Sequence, residues 1–248
     1  MDIKTSTAKT SDKKNICFDH YSAQRESLVI LAHGFYNNKD AYLFKKIAVD
    51  FSKRYDVISF DFRGHGKSTG LFSWTARETK DLSAIIDYAQ TKEYRHIGLI
   101  GFSLGAAVAI IEAAANKRIS SLICVSAPEN VWKINLHFWE KEMINDLKLN
   151  LGEKGKGKFI RPGNPFLRKT NPIDVIDKVS PVPVLFIHGQ KDWLIKKSHS
   201  EKLFEKALFP KRIKIFKNAG HAEKIFDKFP KEFKQECFSW LDQTICNK

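Results

Sequence analysis

The residues best placed to do chemistry lie in one short stretch, Gly101-Phe102-Ser103-Leu104-Gly105. An apolar run leads into it and an alanine-rich helical pattern follows at once, so the spacing predicts a sharp strand-to-helix turn with Ser103 as a nucleophile at its apex. Backbone at such a turn is strained, and glycines two places to either side remove side chains that would otherwise collide there. Taken alone, the pentapeptide is equally a chance turn in a buried loop. The strand before it and the helix after it favour the chemical reading. A nucleotide-binding P-loop is excluded, because only His65 and Gly66 stand between Gly64 and Lys67, too few for that motif.

To raise Ser103 above a sheet, the rest of the chain must supply strands and crossover helices. Leu28 to Ala32 is a continuous apolar run delivering His33-Gly34-Phe35, the pattern of a central parallel strand buried on both faces. Val57 to Phe60, Ser121 to Val125, Val184 to Ile187 and Arg212 to Phe216 predict further strands. Leu43, Ile47 and Phe51 are spaced for a helix over 40–54 with Asp40 as its cap. Similar spacing predicts helices over 75–91, 195–208 and 230–245, the last burying Phe233, Cys237, Trp240 and Leu241. This alternation means an α/β fold: a mostly parallel, doubly wound sheet with helices on both faces and right-handed crossovers.

Two regions depart from the alternation. Residues 1–14 are rich in Lys, Thr, Ser and Asp and predict a disordered, solvated tail, followed by one short strand near 15–20, so any N-terminal hairpin is expected to be abbreviated. Residues 129–180 carry no convincing strand and predict an inserted helical cap between a first core part, 15–128, and a second, 181–248. Within the cap, Trp132, Leu136, Trp139, Met143 and Leu147 form an apolar stripe at helical spacing. The stripe either glues the cap to the core or walls a substrate pocket, for which Trp132, Leu136, Trp139 and Met143 are the candidates. A Gly-Lys stretch over 152–158 predicts a mobile loop whose charge could meet an anionic substrate.

Four separated motifs resemble the α/β-hydrolase family, in its order, from about Leu28 to the C-terminus. They are His33-Gly34-Phe35, the turn Asp61-Phe62-Arg63-Gly64-His65-Gly66-Lys67-Ser68, the Gly101–Gly105 elbow, and His188-Gly189-Gln190-Lys191-Asp192 followed by His221. The resemblance implies an α/β-hydrolase fold in which Asp192 is the catalytic acid and His221 the general base. It also implies an oxyanion hole made by the backbone N–H groups of Phe35 and Leu104, and structural roles for Asp61, Arg63, His65 and His188. Asp174 and Asp177 remain rival acids, Asp192 could instead cap the following helix, and His188 and His199 are poorer candidates for the base. Serine at the elbow argues against the dehalogenases and epoxide hydrolases of this fold, which attack with Asp. The motifs look most like small cytosolic carboxylesterases, including the cinnamoyl-esterase and monoacylglycerol-lipase-like groups. The expected activity is cleavage of carboxylic esters of small to medium acyl or aryl groups. Peptidase, thioesterase or acyltransferase chemistry on the same residues stays open, as does a non-catalytic binding protein of this fold.

Composition sets the outer bounds. At 248 residues, 43% hydrophobic and 12% aromatic, the chain suits one globular domain with an insertion. Its four cysteines form no C-x-x-C pair, which argues against a zinc or redox motif, and a Ser-acid-His system needs no metal or organic cofactor. The N-terminal residues lack the apolar core of a signal peptide, so a cytoplasmic location is expected. Ile97 to Ala115 is apolar for the length of a membrane span, but the elbow and Glu112 interrupt it, and no membrane insertion is expected. The net charge of +14 comes from lysines dispersed among acids without a nucleic-acid-binding signature. The expected partner is therefore a small-molecule ester and not a specific nucleic acid.

Overall fold

The computed structural model describes residues 1–134, 144 and 160–245. Among these, eight strands form one sheet: β1 (Asp2–Lys9), β2 (Asn15–Ser22), β3 (Ser27–Ala32), β4 (Asp56–Phe60), β5 (His96–Phe102), β6 (Ser121–Val125), β7 (Val184–Gly189) and β8 (Lys211–Phe216). Their order is β1-β2-β4-β3-β5-β6-β7-β8. The six strands from β4 to β8 in that order run parallel, and β2 joins β4 antiparallel.

Helices α1 (Tyr42–Phe51), α2 (Glu78–Gln90), α3 (Leu104–Ala115), α4 (Ser198–Lys206), α5 (Lys224–Lys228) and α6 (Pro230–Ile245) cover the two faces. Strand β3 shows why its run had to be apolar throughout. Leu28, Ile30 and Ala32 enter the core shared with α2 and α3, whereas Val29 and Leu31 enter the core shared with α1 and α6. Every parallel crossover returns the chain to the same sheet edge, so the loops leaving β3, β5, β7 and β8 converge where open α/β sheets bind ligands.

Residues 1–14 are not a tail. β1 pairs with β2 along its whole length, from Asp2 opposite Ser22 to Lys9 opposite Asn15. Its side chains are mostly exposed on both faces, so no hydrophobic period marks it; ladder hydrogen bonds to β2 hold it, and its lysines suit an edge strand. The hairpin turn is fastened to the core. Asp12 takes the two end nitrogens of the buried Arg63 guanidinium at 2.8 and 3.0 Å, and Asp81 takes the Arg63 backbone N–H at 2.8 Å and its Nε at 2.9 Å.

Other expectations shift locally. Asp40 does not cap α1, whose cap position is Ala41 without a side-chain bond; the Asp40 carboxylate instead pairs with Lys39 at 3.1 Å and Lys45 at 3.2 Å. In the stretch expected to be a cap, residues 135–143 and 145–159 lie outside the described residues, and with them Leu136, Trp139, Met143, Leu147 and the Gly-Lys run. Residues 161–163 are laced to the loop after β4, with Phe72 N–H donating to Arg161 O at 2.8 Å and Gly163 N–H to Phe72 O at 2.7 Å. Ile176 and Val179 are fully buried in the core shared with α3, so this end of the stretch packs as core and not as an insertion.

Candidate active site

Ser103 sits between β5 and α3 with φ 53° and ψ −119°, a left-handed conformation unusual for a residue with a β-carbon. The surrounding glycines explain how the turn closes. A β-carbon on Gly105 would lie 2.3 Å from the Ala32 carbonyl, and one on Gly101 would lie 2.6 Å from Ala106 Cα. The two glycines therefore let α3 start directly against β3 and β5, leaving the Ser103 side chain at the strand ends.

There Ser103 Oγ is 2.9 Å from His221 Nε2, and His221 Nδ1 is 2.7 Å from Asp192 Oδ2. The three side chains come from loops after β5, β8 and β7. Asp192 does not cap the following helix, which starts at Ser198 with Lys197 at its cap position; its Oδ1 instead accepts the loop N–H groups of Leu194 at 3.1 Å and Ile195 at 2.9 Å. The rival acids sit elsewhere: Asp174 accepts from Asn171, and Asp177 faces Lys206.

Burial pushes the Asp192 carboxyl up, but the charges and hydrogen bonds of His221 and His188 outweigh it and hold it well below the usual carboxylate range. Burial pushes His221 down, but the carboxylates of Asp192 and then Glu223 outweigh that and leave its pKa above the ordinary imidazole value. The pair therefore favours carboxylate beside imidazolium, as a base that must accept a proton requires.

Several further residues position this array, His188 and His33 from the quoted motifs and Ser126 without a mark in the sequence. His188 Nε2 is 2.7 Å from Ile195 O, an atom that only accepts, so Nε2 carries the hydrogen and also faces Asp192 Oδ2 at 3.2 Å; Nδ1 meets Ser200 Oγ at 2.7 Å. Ser126 Oγ accepts the Ala222 N–H at 3.0 Å and so pins the loop of His221. Lys191 N–H donates to Ala219 O at 2.9 Å, drawing the loop after β7 onto the loop after β8. At the end of β3, His33 Nδ1 is 2.7 Å from Gly34 O, while Nε2 accepts the Phe62 N–H at 3.0 Å, an assignment that makes the ring neutral and fixes the Phe35 loop. Burial, then neighbouring His65, push the His33 pKa well down, in keeping with that tautomer.

Phe35 and Leu104 flank Ser103. Among the described residues, neither backbone N–H meets an acceptor. A cavity of about 140 Å³ opens beside Ser103, walled by Phe35, Trp74, Leu104, Val131, Ile134 and Leu194, with Trp132, Pro165 and Lys169 also lining it. That is close to the roughly 150 Å³ apolar cavity able to hold a benzene ring. Trp132, the one candidate pocket residue that is described, is 59% exposed. Among the described residues no three His, Cys, Asp or Glu side chains are grouped to hold a metal ion. None of the described helices is long and apolar enough to cross a membrane.

A left-handed serine at a strand-to-helix turn, facing an imidazole from the loop after the last strand, belongs to one known class. Residues 27–156 match the model of the alpha/beta hydrolase fold, and the chain belongs to that family. Among its relatives are the uncharacterized protein YfhR of Escherichia coli O157:H7, 25% identical over 217 residues, and the uncharacterized protein YqkD of Bacillus subtilis, 29% identical over 210 residues. The matches take in 86% and 78% of this chain and 69% and 64% of those proteins. Among solved structures, the esterase Pf2001 of Pyrococcus furiosus superposes with a TM-score of 0.78 at 22% identity, covering 98% of this chain and 91% of that one. The esterase RhEst1 of Rhodococcus sp. ECU1013 gives 0.78 at 17% identity, covering 98% and 100%. At such identities these two likenesses establish the fold.

Proposed function

We propose that the protein is a serine hydrolase that cleaves carboxylic esters of small to medium acyl or aryl groups. The observation that carries the reading is the unbroken hydrogen-bonded series from Ser103 through His221 to Asp192 beside an apolar cavity. A serine hydroxyl is a weak nucleophile at neutral pH, so His221 takes its proton as Oγ attacks the ester carbonyl, and Asp192 fixes the His221 tautomer and stabilises the imidazolium. The N–H groups of Phe35 and Leu104 receive the oxyanion. His221 then protonates the leaving alcohol, and water, activated by the same imidazole, releases the acid from the acyl-enzyme.

The two superposed esterases support the ester class, and the three described cysteines, all free and buried, fit a reducing, cytoplasmic setting. The test is hydrolysis of p-nitrophenyl acetate, butyrate and octanoate by wild type beside Ser103→Ala, with a fluorophosphonate label located by mass spectrometry. Turnover and label both present in wild type and both lost in the variant are expected. A folded wild type that neither hydrolyses nor labels overturns the reading in favour of a binding protein.

A further inference from the structure

Lys169 is the charged side chain among those lining the otherwise apolar cavity beside Ser103. Its Nζ lies 4.1 Å from the centroid of the Trp132 ring and donates to the Pro165 carbonyl. An ammonium has three donors, and a backbone carbonyl and a ring face do not neutralise it. Among the described residues no carboxylate lies within ion-pair distance of Lys169. The nearby acid, Glu78, spends its oxygens on the Ser73 N–H at 2.7 Å and the Ser73 hydroxyl at 2.9 and 3.0 Å. Burial pushes the Lys169 ammonium toward its neutral form, a tendency that an incoming anion would reverse.

A second cavity, of about 390 Å³, adjoins the first, and Lys169 lines both. Its other walls include Arg168, Thr170, Thr75 and Thr79. Thr75 is 3% exposed, yet its hydroxyl has no hydrogen-bond partner among the described residues. The Trp74 indole N–H, on the wall of the first cavity, is likewise buried and unpartnered. Both residues hold positive φ, 57° for Trp74 and 78° for Thr75, a conformation costly above all for the β-branched Thr75. Among the described residues, the corner between the cavities thus combines stored strain, two polar groups without a hydrogen-bond partner and a cation that feels the charge of Glu78 but has no carboxylate at ion-pair distance, which is the character of a site for a polar ligand end.

We propose that Lys169 selects esters whose far end carries a carboxylate, with the apolar part beside Ser103 and the carboxylate in the adjoining groove against Lys169 and the Thr75 hydroxyl. The inference rests on the ester-hydrolase reading and adds a substrate class to it. Two matched pairs test it: p-nitrophenyl octanoate against mono-p-nitrophenyl suberate for charge on the acyl side, and phenyl butyrate against p-carboxyphenyl butyrate for charge on the alcohol side. In at least one pair, Lys169→Met should lower the anionic-to-neutral ratio of kcat/KM by roughly tenfold to a hundredfold, the worth of one charge-assisted hydrogen bond. Lys169→Arg should keep most of that ratio, Thr75→Val should lower it, and added salt should erode it in wild type. Neutral esters cleaved with the ratio unchanged in Lys169→Met for both pairs would overturn the inference alone. A wild type that cleaves none of the four esters overturns the ester-hydrolase reading, and the inference with it.

Discussion

His188 Nε2 stands 3.2 Å from the same Asp192 oxygen that holds His221. The acid is thus gripped by two imidazoles and two backbone N–H groups, and its direction is set before substrate arrives. His188 is a positioning residue on this geometry. Replacing it with Phe should lower kcat by between about tenfold and a hundredfold, the scale of a small misplacement of a reacting group, while KM for a short ester changes little. A kcat equal to that of wild type would show that the two N–H groups hold Asp192 unaided.

Asp192→Asn tests the electrostatics directly. The amide can donate to His221 Nδ1 and stabilise the wrong tautomer, so a loss on the order of 10⁴ in kcat is expected. In wild type, kcat/KM should fall with acid through a value above the ordinary imidazole pKa of about 6.5, because the base must be neutral and Asp192 holds its pKa up. In the variant, the limb of the residual activity should move to lower pH. For stability the signs differ between the partners. His221, raised on folding, contributes fully below its unfolded value and loses that contribution as pH rises through the folded one; Asp192, depressed, contributes above its unfolded value and loses it as pH falls.

How much of this was legible follows from where each residue's partners lie. The strands at 28–32 and 184–187 could be read because burial on both faces demands unbroken apolar runs, those at 57–60 and 121–125 because a single small serine leaves each run otherwise apolar, and the helix over 230–245 because one face is buried at regular spacing. Ser103 stood out through its flanking glycines, whose need is local. Strand β1 was missed because its Ser, Thr and Lys side chains are mostly exposed and its pairing with β2 runs through the backbone ladder, which leaves no hydrophobic period. The Asp40 cap failed because a neighbouring lysine, itself buried, claimed the carboxylate. Ser126 and Gly189 act on residues distant in the chain, so no local pattern announces what they hold, whereas His188 holds an acid four residues on, inside a motif whose resemblance already implies a structural role.

The hairpin offers a stability test. Burial works against the charge of Arg63, but Asp12 and then Asp81 outweigh it. Arg63→Met removes the clamp on the turn and leaves the Asp81 carboxylate buried without its partner, which should cost about 3–5 kcal/mol. Urea unfolding measures the loss. Asp12→Asn leaves the inner pair intact and should cost much less, so equal losses for the two variants would contradict an anchor centred on Arg63 and Asp81.

Gly189 is the residue at which the acid and base loops touch. A β-carbon there would lie 2.1 Å from Gly220 O and 2.5 Å from Ala219 O, both backbone atoms of the segment leading into His221. Backbone cannot rotate aside as a side chain can, so Gly189→Ala must push the His221 loop away from β7 or twist the end of that strand. The hydrogen bond from Lys191 N–H to Ala219 O spans the same gap and lengthens with it. Overpacking of this kind costs about 1–3 kcal/mol in stability. The larger effect should be kinetic, since a shift of about 1 Å between Asp192 and His221 is enough for a hundredfold loss in kcat. The rate of fluorophosphonate labelling at Ser103 reads that geometry without dependence on substrate fit. Labelling as fast as wild type in a folded Gly189→Ala protein would mean that the contact between the loops does not set the alignment of Asp192 and His221.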